Sequence, residues 1–426
     1  MALVILVLFL RIYLFFTFFV MIFYTIRHFI FSVNRTIGEQ KLYYQDILDS
    51  DLPSVTVIIP MHNEEKVAKH SMENVLKTDY PKHILEIIPV NDHSDDRTKE
   101  ILDDFAARYP QIKPFHRESG KRGKPSALND VMEFAKGDII IVFDADYLPP
   151  RGIIRDIALS FKDPEVGAVM GRVIPQNVGS NLLTRLLDLE RTGGYQVDQQ
   201  ARYNMRLIPQ YGETVGGFRK IVAQSLDGFD PRIITEDTEL TFKLYERGWK
   251  VVYANRAECY EEAPEDWSVR SRQVMRWARG HTQVFFRFWI SLFKSKYLTF
   301  KEKLDGILLL SIYLIPLLLL FGMINAVALF FLGEMNIYDS VVLFLMIAFY
   351  SSFGNAAPFF QIGAGALLDG GRQRIRLLPI LMFNFVFYMW YISKGSFLAI
   401  FDVIRGASPE WQKTERYRKE EDEEVK

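Results

Sequence analysis

The amino-acid sequence predicts an α/β, nucleotide-binding domain with flanking transmembrane helices. Hydrophobic residues make up 49% of the 426 residues and aromatic residues 14%, which indicates that part of the chain lies in lipid. Long apolar stretches stand near both ends of the chain. Between them, short β-branched runs alternate with amphipathic stretches, a pattern typical of α/β domains. We therefore expect a folded domain over residues 52–288, next to a membrane.

The first apolar stretch, residues 2–31, is longer than the roughly 20 residues that a helix needs to cross a bilayer. We interpret residues 1–32 as an N-terminal transmembrane helix. A cleaved secretory signal is the alternative, but this stretch lacks a basic start and a small-residue cleavage site. Arg11 within it is either a functional charge or a side chain that reaches the headgroups near a helix end.

The central region has three apolar runs, residues 54–60, 85–92 and 138–144, that predict buried parallel strands. Helical patterns at residues 65–76, 98–109 and 124–135 provide the connections between them. Polar residues follow each strand at its carboxyl end. Ligands bind at that edge of open parallel sheets, because the loops leaving the strands form a crevice there.

The C-terminal region predicts a membrane region over residues 306–403. A Lys- and aromatic-rich segment, residues 289–305, precedes it and is typical of an amphipathic segment at the membrane surface. Residues 307–332 and 341–367 predict two membrane helices. Residues 333–340 between them contain no Lys or Arg, whereas basic residues cluster on the other side, which predicts a multi-pass protein of the cell membrane with a cytosolic α/β domain.

The last apolar segment, residues 377–403, is interrupted by Lys394 and Gly395, and residues 404–426 form a charged tail that we expect to be solvated. If this segment crossed the membrane once, the tail with its Lys and Arg residues would lie outside the cell. That would conflict with the rule that cytosolic flanks are positively charged. A re-entrant or interfacial segment is the alternative, and both interpretations stay open.

Charge and cysteine content exclude some classes of function. The net charge of −1 gives no global sign of a nucleic-acid partner, and we expect none. Cys259 is the only cysteine, which excludes an internal disulfide framework and a cysteine-based zinc site. We expect Cys259 to be a packing residue.

Two carboxylates, Asp144 and Asp146, stand where the third predicted strand ends. A hard divalent cation that bridges two phosphates binds carboxylate oxygens and leaves its other positions to phosphate and water. The pair therefore suits Mg²⁺ or Mn²⁺. The alternative is a solvated turn in which the aspartates accept backbone hydrogen bonds.

A second acidic group comprises Glu236 and Asp237, directly after Thr235. Thr235 can cap a helix that begins at Glu236, and acids in the first turn complement the helix dipole, so capping alone would explain these residues. Asp237 is also a candidate general base, because a sugar acceptor needs a carboxylate to accept its hydroxyl proton.

A helical stretch places Gln273, Arg276 and Trp277 on one face at spacings of three and four. A planar guanidinium suits a pyrophosphate, and an indole suits stacking on a sugar or a base. The alternative is a surface ion pair for Arg276 and a core position for Trp277.

Together these three elements resemble the processive family 2 glycosyltransferases, namely cellulose, hyaluronan and poly-N-acetylglucosamine synthases. The resemblance covers roughly residues 52–290 and the flanking membrane segments. It implies a GT-A-type domain that transfers a hexose or N-acetylhexosamine from a UDP-sugar to a growing β-linked glycan, with inversion and with Mg²⁺ or Mn²⁺.

The resemblance also implies roles for single residues. Asp144 and Asp146 would bind the donor pyrophosphate through the metal, Asp237 would be the catalytic base, Gln273 and Arg276 would hold the pyrophosphate, and Glu236 and Trp277 would contact the acceptor.

The same resemblance extends to earlier positions. Asn63 and Glu64 would lie beside the nucleoside, Asp92 would contact the uracil, and Lys124 would lie near the phosphates. A lysine that opens a helix adds positive charge to an anion-binding N-terminus, which fits this role. The small-residue turn from Thr214 to Gly217 would let an acceptor sugar approach the backbone at Gly216 and Gly217. Cellulose synthases have a Phe-Cys-Gly pattern there, so cellulose itself is a doubtful product.

Two alternatives stay open. A non-processive transferase that adds one sugar to a membrane lipid is the nearer one, since ceramide glucosyltransferases share a similar motif set. A non-catalytic membrane scaffold or transporter is the more distant one, and the intact acidic motifs disfavour it. A polymerase would need a membrane channel, for which three or four spans are few, so self-association or an accessory subunit are candidate arrangements.

Overall fold

A seven-stranded mixed sheet forms the centre of the α/β domain in the computed structural model, which describes residues 1–41, 49–212, 215–334, 354 and 356–407. The sheet order is β3-β2-β1-β4-β6-β5-β7, and β6 runs antiparallel to both of its neighbours. The strands are β1 Val55–Met61, β2 Leu85–Asp92, β3 Phe115–Arg117, β4 Ile139–Phe143, β5 Val166–Pro175, β6 Val215–Arg219 and β7 Lys250–Glu261.

The three predicted strands are confirmed as β1, β2 and β4, each within one residue of its predicted ends. They are parallel and adjacent, so their carboxyl ends meet at one edge of the sheet. Both faces of the sheet are covered. Val57 and Ile59 pack in one core and Ile58 in another, because successive side chains of a strand point to opposite faces. Cys259 of β7 is buried in the first core, as expected.

Helices cover the sheet and form an apolar helical region beside it. They are α1 Ala2–Ile37, α2 Glu65–Val75, α3 Thr98–Arg108, α4 Lys124–Met132, α5 Ile153–Leu159, α6 Leu182–Thr192, α7 Gln200–Asn204, α8 Lys220–Ser225, α9 Glu236–Glu246, α10 Trp267–Lys294, α11 Phe300–Ser311, α12 Ile315–Phe331, α13 Ala357–Leu368 and α14 Leu378–Arg405. The predicted crossover helices are confirmed as α2, α3 and α4. A π-helix, Gly193–Gln199, joins α6 to α7.

Three helical stretches are long and apolar enough to cross a membrane by length and composition: Leu3–Ile37, Phe300–Phe331 and Arg372–Arg405. The first two agree with predicted membrane helices. Of the predicted helix over residues 341–367, most residues up to 355 lie outside the described residues, and α13 forms its end. Residues 335–340 of the predicted connection and residues 408–426 of the predicted tail also lie outside them.

The helix α10 continues through the predicted domain boundary at residue 288 and ends only at Lys294. Its second half exposes a stripe of large apolar side chains, Phe286, Trp289, Ile290 and Phe293. Because these positions share one helix face, they suit contact with a lipid surface. The predicted interfacial segment therefore begins inside α10 and continues into α11.

The helix α14 runs unbroken from Leu378 to Arg405, through the Lys394 and Gly395 that interrupt its apolar sequence. Gly395 is needed for close packing: a Cβ atom there would lie 2.3 Å from the carbonyl oxygen of Met275 in α10. Thr282 Oγ1 of α10 also donates to Ser396 Oγ at 3.2 Å. The glycine thus lets two helices approach each other rather than ending one.

Both ends of α14 are held on the α/β domain. Just before α14 begins, Arg374 Nη1 lies 2.9 Å from Asp188 Oδ2 of α6. Near its end, Asp402 accepts hydrogen bonds from Arg279 Nε at 2.5 Å and Nη2 at 2.8 Å. A helix held at both ends by the same domain lies along that domain. This geometry favours the interfacial alternative for residues 377–403.

We predict that both ends of α14 are accessible from the side of the membrane that carries the α/β domain. Cysteines introduced as Gln373→Cys and Ala407→Cys should react with a membrane-impermeant maleimide from that side. Gly333→Cys, after α12, should react only from the other side. The native Cys259 is buried and provides a silent background. Labelling of residues 373 and 407 from opposite sides would contradict the interfacial placement.

Candidate active site

A cavity of about 1470 Å³ opens at the carboxyl edge of β1, β2 and β4. Parallel strands bring their following loops together at this edge, as the sequence predicts. The cavity is lined by most of the predicted site residues: Glu64, Asp92, Lys124, Asp144, Asp146, Glu236, Asp237, Gln273, Arg276 and Trp277. Residues separated by more than two hundred positions in the chain therefore form one site.

The Asp144 and Asp146 pair directly follows β4. Lys124 Nζ lies 2.7 Å from Asp144 Oδ1, so the lysine that opens α4 reaches the acidic pair. Gly123 before it has a φ of +121°, in the region that side chains rarely adopt. The glycine turn thus directs the amino end of α4 and the Lys124 ammonium towards the edge where the carboxylates lie. Positive charge at this edge is what a site for an anionic ligand requires.

These two carboxylates also suit a divalent cation. In the described part of the chain, no group of three or more His, Cys, Asp or Glu side chains could hold a metal ion by itself. Two carboxylates in an open cavity instead fit a cation that completes its coordination with phosphate oxygens and water. The donor set is thus suited to Mg²⁺ or Mn²⁺ bound together with a ligand.

Asp92 organises the loops around this edge. Its Oδ2 accepts a hydrogen bond from the Gly123 backbone N–H at 2.8 Å, and its Oδ1 pairs with His93 at 2.7 Å and with the buried Arg117. The side chain is only 7% exposed. Asp92 therefore fixes the loop before α4 as well as lining the cavity.

Asp237 lies in the first turn of α9. Its Oδ1 accepts a hydrogen bond from the Thr238 backbone N–H at 2.7 Å. Burial, followed by the neighbouring charge of Glu236, raises the pKa of Asp237 to about 6.

The predicted cap is wrong in its detail, because the Thr235 side chain makes no cap hydrogen bond to the helix. The methyl group and hydroxyl of Thr235 instead pack against Gly280 of α10, where an added Cβ would meet them within 3 Å.

The predicted helical face of α10 is confirmed, since Gln273, Arg276 and Trp277 all line the cavity. Arg270, which the sequence did not single out, holds two of them. Its Nη1 donates to Gln273 Oε1 at 2.8 Å, and its guanidinium lies 4.8 Å from the centre of the Trp277 ring. Its Nη2 donates to Glu190 Oε1 of α6 at 2.8 Å. Arg270 is buried and so positions this face of α10.

Glu261, at the end of β7, is a second residue that the sequence analysis missed. Tyr147 OH donates to its Oε2 at 2.6 Å, and Arg191 of α6 pairs with its other oxygen. Burial raises the pKa of Tyr147 well above its usual range, so the phenol stays a donor. The strand-end rule could have found Glu261, but the strand over residues 250–261 was not predicted.

Three predicted site residues do not line the cavity. Asn63 instead joins two loops: its Oδ1 accepts from the Asp95 backbone N–H at 2.8 Å, and its N–H donates to Ser94 Oγ at 3.0 Å. Gly216 and Gly217 are buried inside β6. A Cβ at Gly216 would lie 2.5 Å from Tyr211 Cε2, and one at Gly217 would lie 3.0 Å from Ile157. Their small size serves packing on the sheet. Thr214, before them, lies outside the described residues.

The cavity continues from the sheet edge to the candidate membrane helices. The π-helix forms part of its wall through Gly193, Gly194 and Tyr195, and an added Cβ at Gly194 would meet nothing within 4 Å. π-Helical turns are rare and often occur at functional sites. Beyond it, side chains of α1, α11, α12, α13 and α14 complete the lining.

These features place the chain in a known class of protein. The family described as glycosyltransferase-like family 2 matches residues 53–280, and a cellulose synthase family matches residues 228–354. The chain belongs to glycosyltransferase-like family 2, and the resemblance noted in the sequence is confirmed.

Among individual proteins, the chain is similar to a probable glycosyltransferase, YdaM, of Bacillus subtilis, with 36% identity over 58% of this chain and 59% of the relative. It is similar to the beta-monoglucosyldiacylglycerol synthase of Synechocystis, with 33% identity over 62% of this chain and 55% of the relative. The poly-beta-1,6-N-acetyl-D-glucosamine synthase of Staphylococcus aureus is 28% identical over 71% of this chain and 74% of the relative. The chain thus spans less than two thirds of the length of the first two relatives.

One solved structure supports the fold. The mannosyltransferase PcManGT from Pyrobaculum calidifontis, in complex with GDP-Man and Mn²⁺, superposes with a TM-score of 0.60 at 19% identity. The match covers 92% of this chain and 98% of that one. It confirms the GT-A-type α/β fold.

We predict that Gly216→Ala lowers stability rather than acceptor affinity. The added methyl group would overlap Tyr211 and the Val169 carbonyl, and overpacking of this kind costs about 1–3 kcal/mol. Thermal unfolding in detergent measures the loss, and Gly179→Ala, where a Cβ meets nothing within 4 Å, is the matched control. A normally stable Gly216→Ala protein with a raised acceptor KM would restore the acceptor role predicted from the sequence.

Proposed function

We propose that this protein is a membrane-bound inverting glycosyltransferase that moves one sugar from a nucleotide donor to an acceptor hydroxyl. The observation that carries the proposal is a single cavity that contains two features. One is an edge whose charged groups suit a bound phosphate, and the other is a half-buried carboxylate with a raised pKa. Lys124, Arg276 and the acidic pair Asp144 and Asp146 form that edge, and Asp237 is the carboxylate. A pair of this kind supplies the two halves of a displacement reaction, a stabilised leaving group and an activated nucleophile.

The donor nucleotide would lie across the ends of β1, β2 and β4. Glu64 and Asp92 line the side of the cavity nearest β1 and β2, where the nucleoside fits, and Gln273 and Arg276 face the diphosphate from α10. Lys124 would exchange its present partner Asp144 for phosphate oxygens. A UDP-sugar is the donor that the family resemblance favours, and the sugar itself is left open between a hexose and an N-acetylhexosamine.

A divalent cation, Mg²⁺ or Mn²⁺, would be held by Asp144 and Asp146 and would neutralise charge on the leaving diphosphate. The donor set described above supports this assignment. The PcManGT structure, which is in complex with GDP-Man and Mn²⁺, is a precedent on the same fold. Arg276 and Lys124 would contribute fixed positive charge to the same leaving group, and such fixed charges are usually the largest catalytic term.

Asp237 would accept the proton of the acceptor hydroxyl while its oxygen attacks the anomeric carbon from the face opposite the diphosphate. This geometry inverts an α-linked donor to a β-linked product. Trp277 and Glu236 border the same space and would contact the acceptor. The acceptor is a glycan, as the sequence predicts, or a membrane lipid.

The same proposal places the enzyme in the cell membrane. The apolar helices α1, α11 and α12 would cross the bilayer, and the α/β domain would face the cytosol, where nucleotide sugars are made. Basic residues near that domain, Arg27, Arg35 and the group from Arg372 to Arg376, agree with the rule that cytosolic flanks are positive.

The substitution Asp237→Asn tests the base. It should lower kcat for transfer by about a hundredfold or more, which is the usual contribution of a general base, with donor binding nearly unchanged. Transfer of radiolabelled sugar and titration of donor binding measure the two effects on the same purified protein. An Asp237→Asn protein that transfers at the normal rate would refute the assignment.

The pH profile gives a separate test. Asp237 acts only when deprotonated, so kcat/KM should fall as the pH drops below about 6, the raised pKa of this carboxyl. In Glu236→Gln the neighbouring negative charge is gone, which lowers the pKa of Asp237 and moves the acidic limb to lower pH. The position of that limb, rather than the absolute rate, is the readout. A limb that stays in place or moves to higher pH would contradict this cause of the shift.

A further inference from the structure

The cavity changes its chemistry along its length. At the sheet edge it is lined by the carboxylates and cations of the proposed active site. Along the candidate membrane helices its lining includes aliphatic side chains, which we call the aliphatic end: Met21 of α1, Ile315 and Leu319 of α12, and Ile392 of α14. Polar side chains such as Thr25 of α1 and Gln361 of α13 also contribute to the lining there. One space is therefore polar at one end and hydrocarbon-like at the other.

We propose, resting on the transferase function above, that the acceptor is a neutral amphiphile rather than a growing glycan. Its hydroxyl group would lie at Asp237, and its hydrocarbon chain would occupy the aliphatic end of the cavity between α1, α12 and α14.

The aliphatic end argues against a sugar chain. Each sugar unit carries several hydroxyl groups that lose their water partners when the chain enters such a space. Met21, Ile315, Leu319 and Ile392 offer no hydrogen bond to replace them, so a glycan would be bound there at a net cost. A hydrocarbon chain leaves water without any such loss, and its burial is favourable in proportion to its apolar area.

The junction between the two ends is charged but balanced. Asp198 Oδ2 lies 2.6 Å from Arg27 Nη2, and Asp198 Oδ1 lies 2.6 Å from Arg202 Nε. Asp305 completes the cluster, with Oδ1 at 3.5 Å from Arg27 Nε and Oδ2 paired with Arg202. Two arginines and two aspartates leave no excess charge that would select an anionic headgroup.

The same arginines retain donor capacity for a ligand. Arg27 is 6% exposed and Arg202 is fully buried, and both line the cavity. Arg27 Nη1 and Arg202 Nη2 are buried and have no hydrogen-bond partner among the described residues. Buried N–H groups of this kind are normally paired. Uncharged oxygens that accept hydrogen bonds, such as the ester or ether oxygens of a glycerolipid, would pair with these N–H groups without adding a net charge.

The order of these groups along α1 fits an extended lipid. Arg27 is held on the α/β domain through Asp198, and Met21 lies six residues earlier on the same helix. At the helical rise, this separation is about 9 Å towards the bilayer. An amphiphile with its hydroxyl at Asp237 would therefore place its ester region near Arg27 and its chain near Met21.

The test is acceptor specificity in bilayer nanodiscs. The purified full chain is supplied with radiolabelled donor, Mn²⁺ and a diacylglycerol series running from acetyl to palmitoyl chains, with free glycerol as the water-soluble acceptor. We expect kcat/KM for the acceptor to rise by about tenfold or more from the shortest chains to the longest, because the longer chains fill the aliphatic end. The product should be a single-sugar lipid that partitions into organic solvent.

The variant Leu319→Trp should fill the aliphatic end. Relative to the unaltered chain, it should lower kcat/KM for long-chain acceptors by about tenfold or more. Ile324→Trp, on the same helix but 56% exposed and away from the cavity, is the matched control and should transfer normally.

Three outcomes would overturn the inference. Equal transfer to glycerol and to long-chain acceptors would show that the aliphatic end is not used, and so would normal transfer by Leu319→Trp. A high-mass glycan product would identify a growing chain as the acceptor. Failure to hydrolyse or transfer any donor is a different result, because it would overturn the proposed transferase function and this inference with it.

Discussion

The buried cluster of Arg27, Asp198, Arg202 and Asp305 is the interaction on which the arrangement of this protein depends. It joins α1 and α11 of the membrane region to the π-helix and α7 of the catalytic domain. Burial alone would raise the pKa of the Asp198 carboxyl, but Arg27 and Arg202 outweigh burial and hold that pKa below its usual range. Loss of one partner from a buried ion pair costs about 3–5 kcal/mol, because the remaining charge is left uncompensated. The cluster thus fixes the membrane helices relative to the active site.

Under the proposed function, this fixed geometry would let one cavity serve a water-soluble donor and a membrane-bound acceptor. The donor edge is built on rigid strand ends, and Gly123 and Asp92 hold the loop that presents Lys124. Across the cavity from these strand ends lies α10, whose Gln273 and Trp277 are held in place by Arg270. Catalytic groups supported in this way need little rearrangement when the substrates bind, which is the main source of electrostatic catalysis.

Much of the donor edge could be predicted from the sequence, because the signals there are local. Strand β2 has the predicted ends, Leu85 and Asp92, and the acidic pair follows β4 as expected. The helical spacing in α10 was sufficient to bring Gln273, Arg276 and Trp277 to one face. Patterns of this kind depend on residues a few positions apart, where strand and helix geometry is fixed.

The parts that could not be predicted depend on distant contacts. Arg270 acts through Glu190, 80 residues away, and no local pattern marks that pair. The same holds for Gly395, which allows α14 to pack on Met275, and for Gly216, which is small because Tyr211 lies against it. A glycine in a sequence indicates only that space or backbone freedom is needed. The structure is required to show which neighbour needs it.

The most direct test of this account is a donor panel on the purified protein in lipid nanodiscs. Nucleotide sugars, each radiolabelled in the sugar, are supplied with Mn²⁺, with Mg²⁺ or with a chelator, and products are separated by size and by extraction into organic solvent. The account predicts transfer from one donor that requires the divalent cation and ends with sugar on an acceptor. Absence of both transfer and donor hydrolysis for every nucleotide sugar, in a protein that is folded and embedded in lipid, would contradict it.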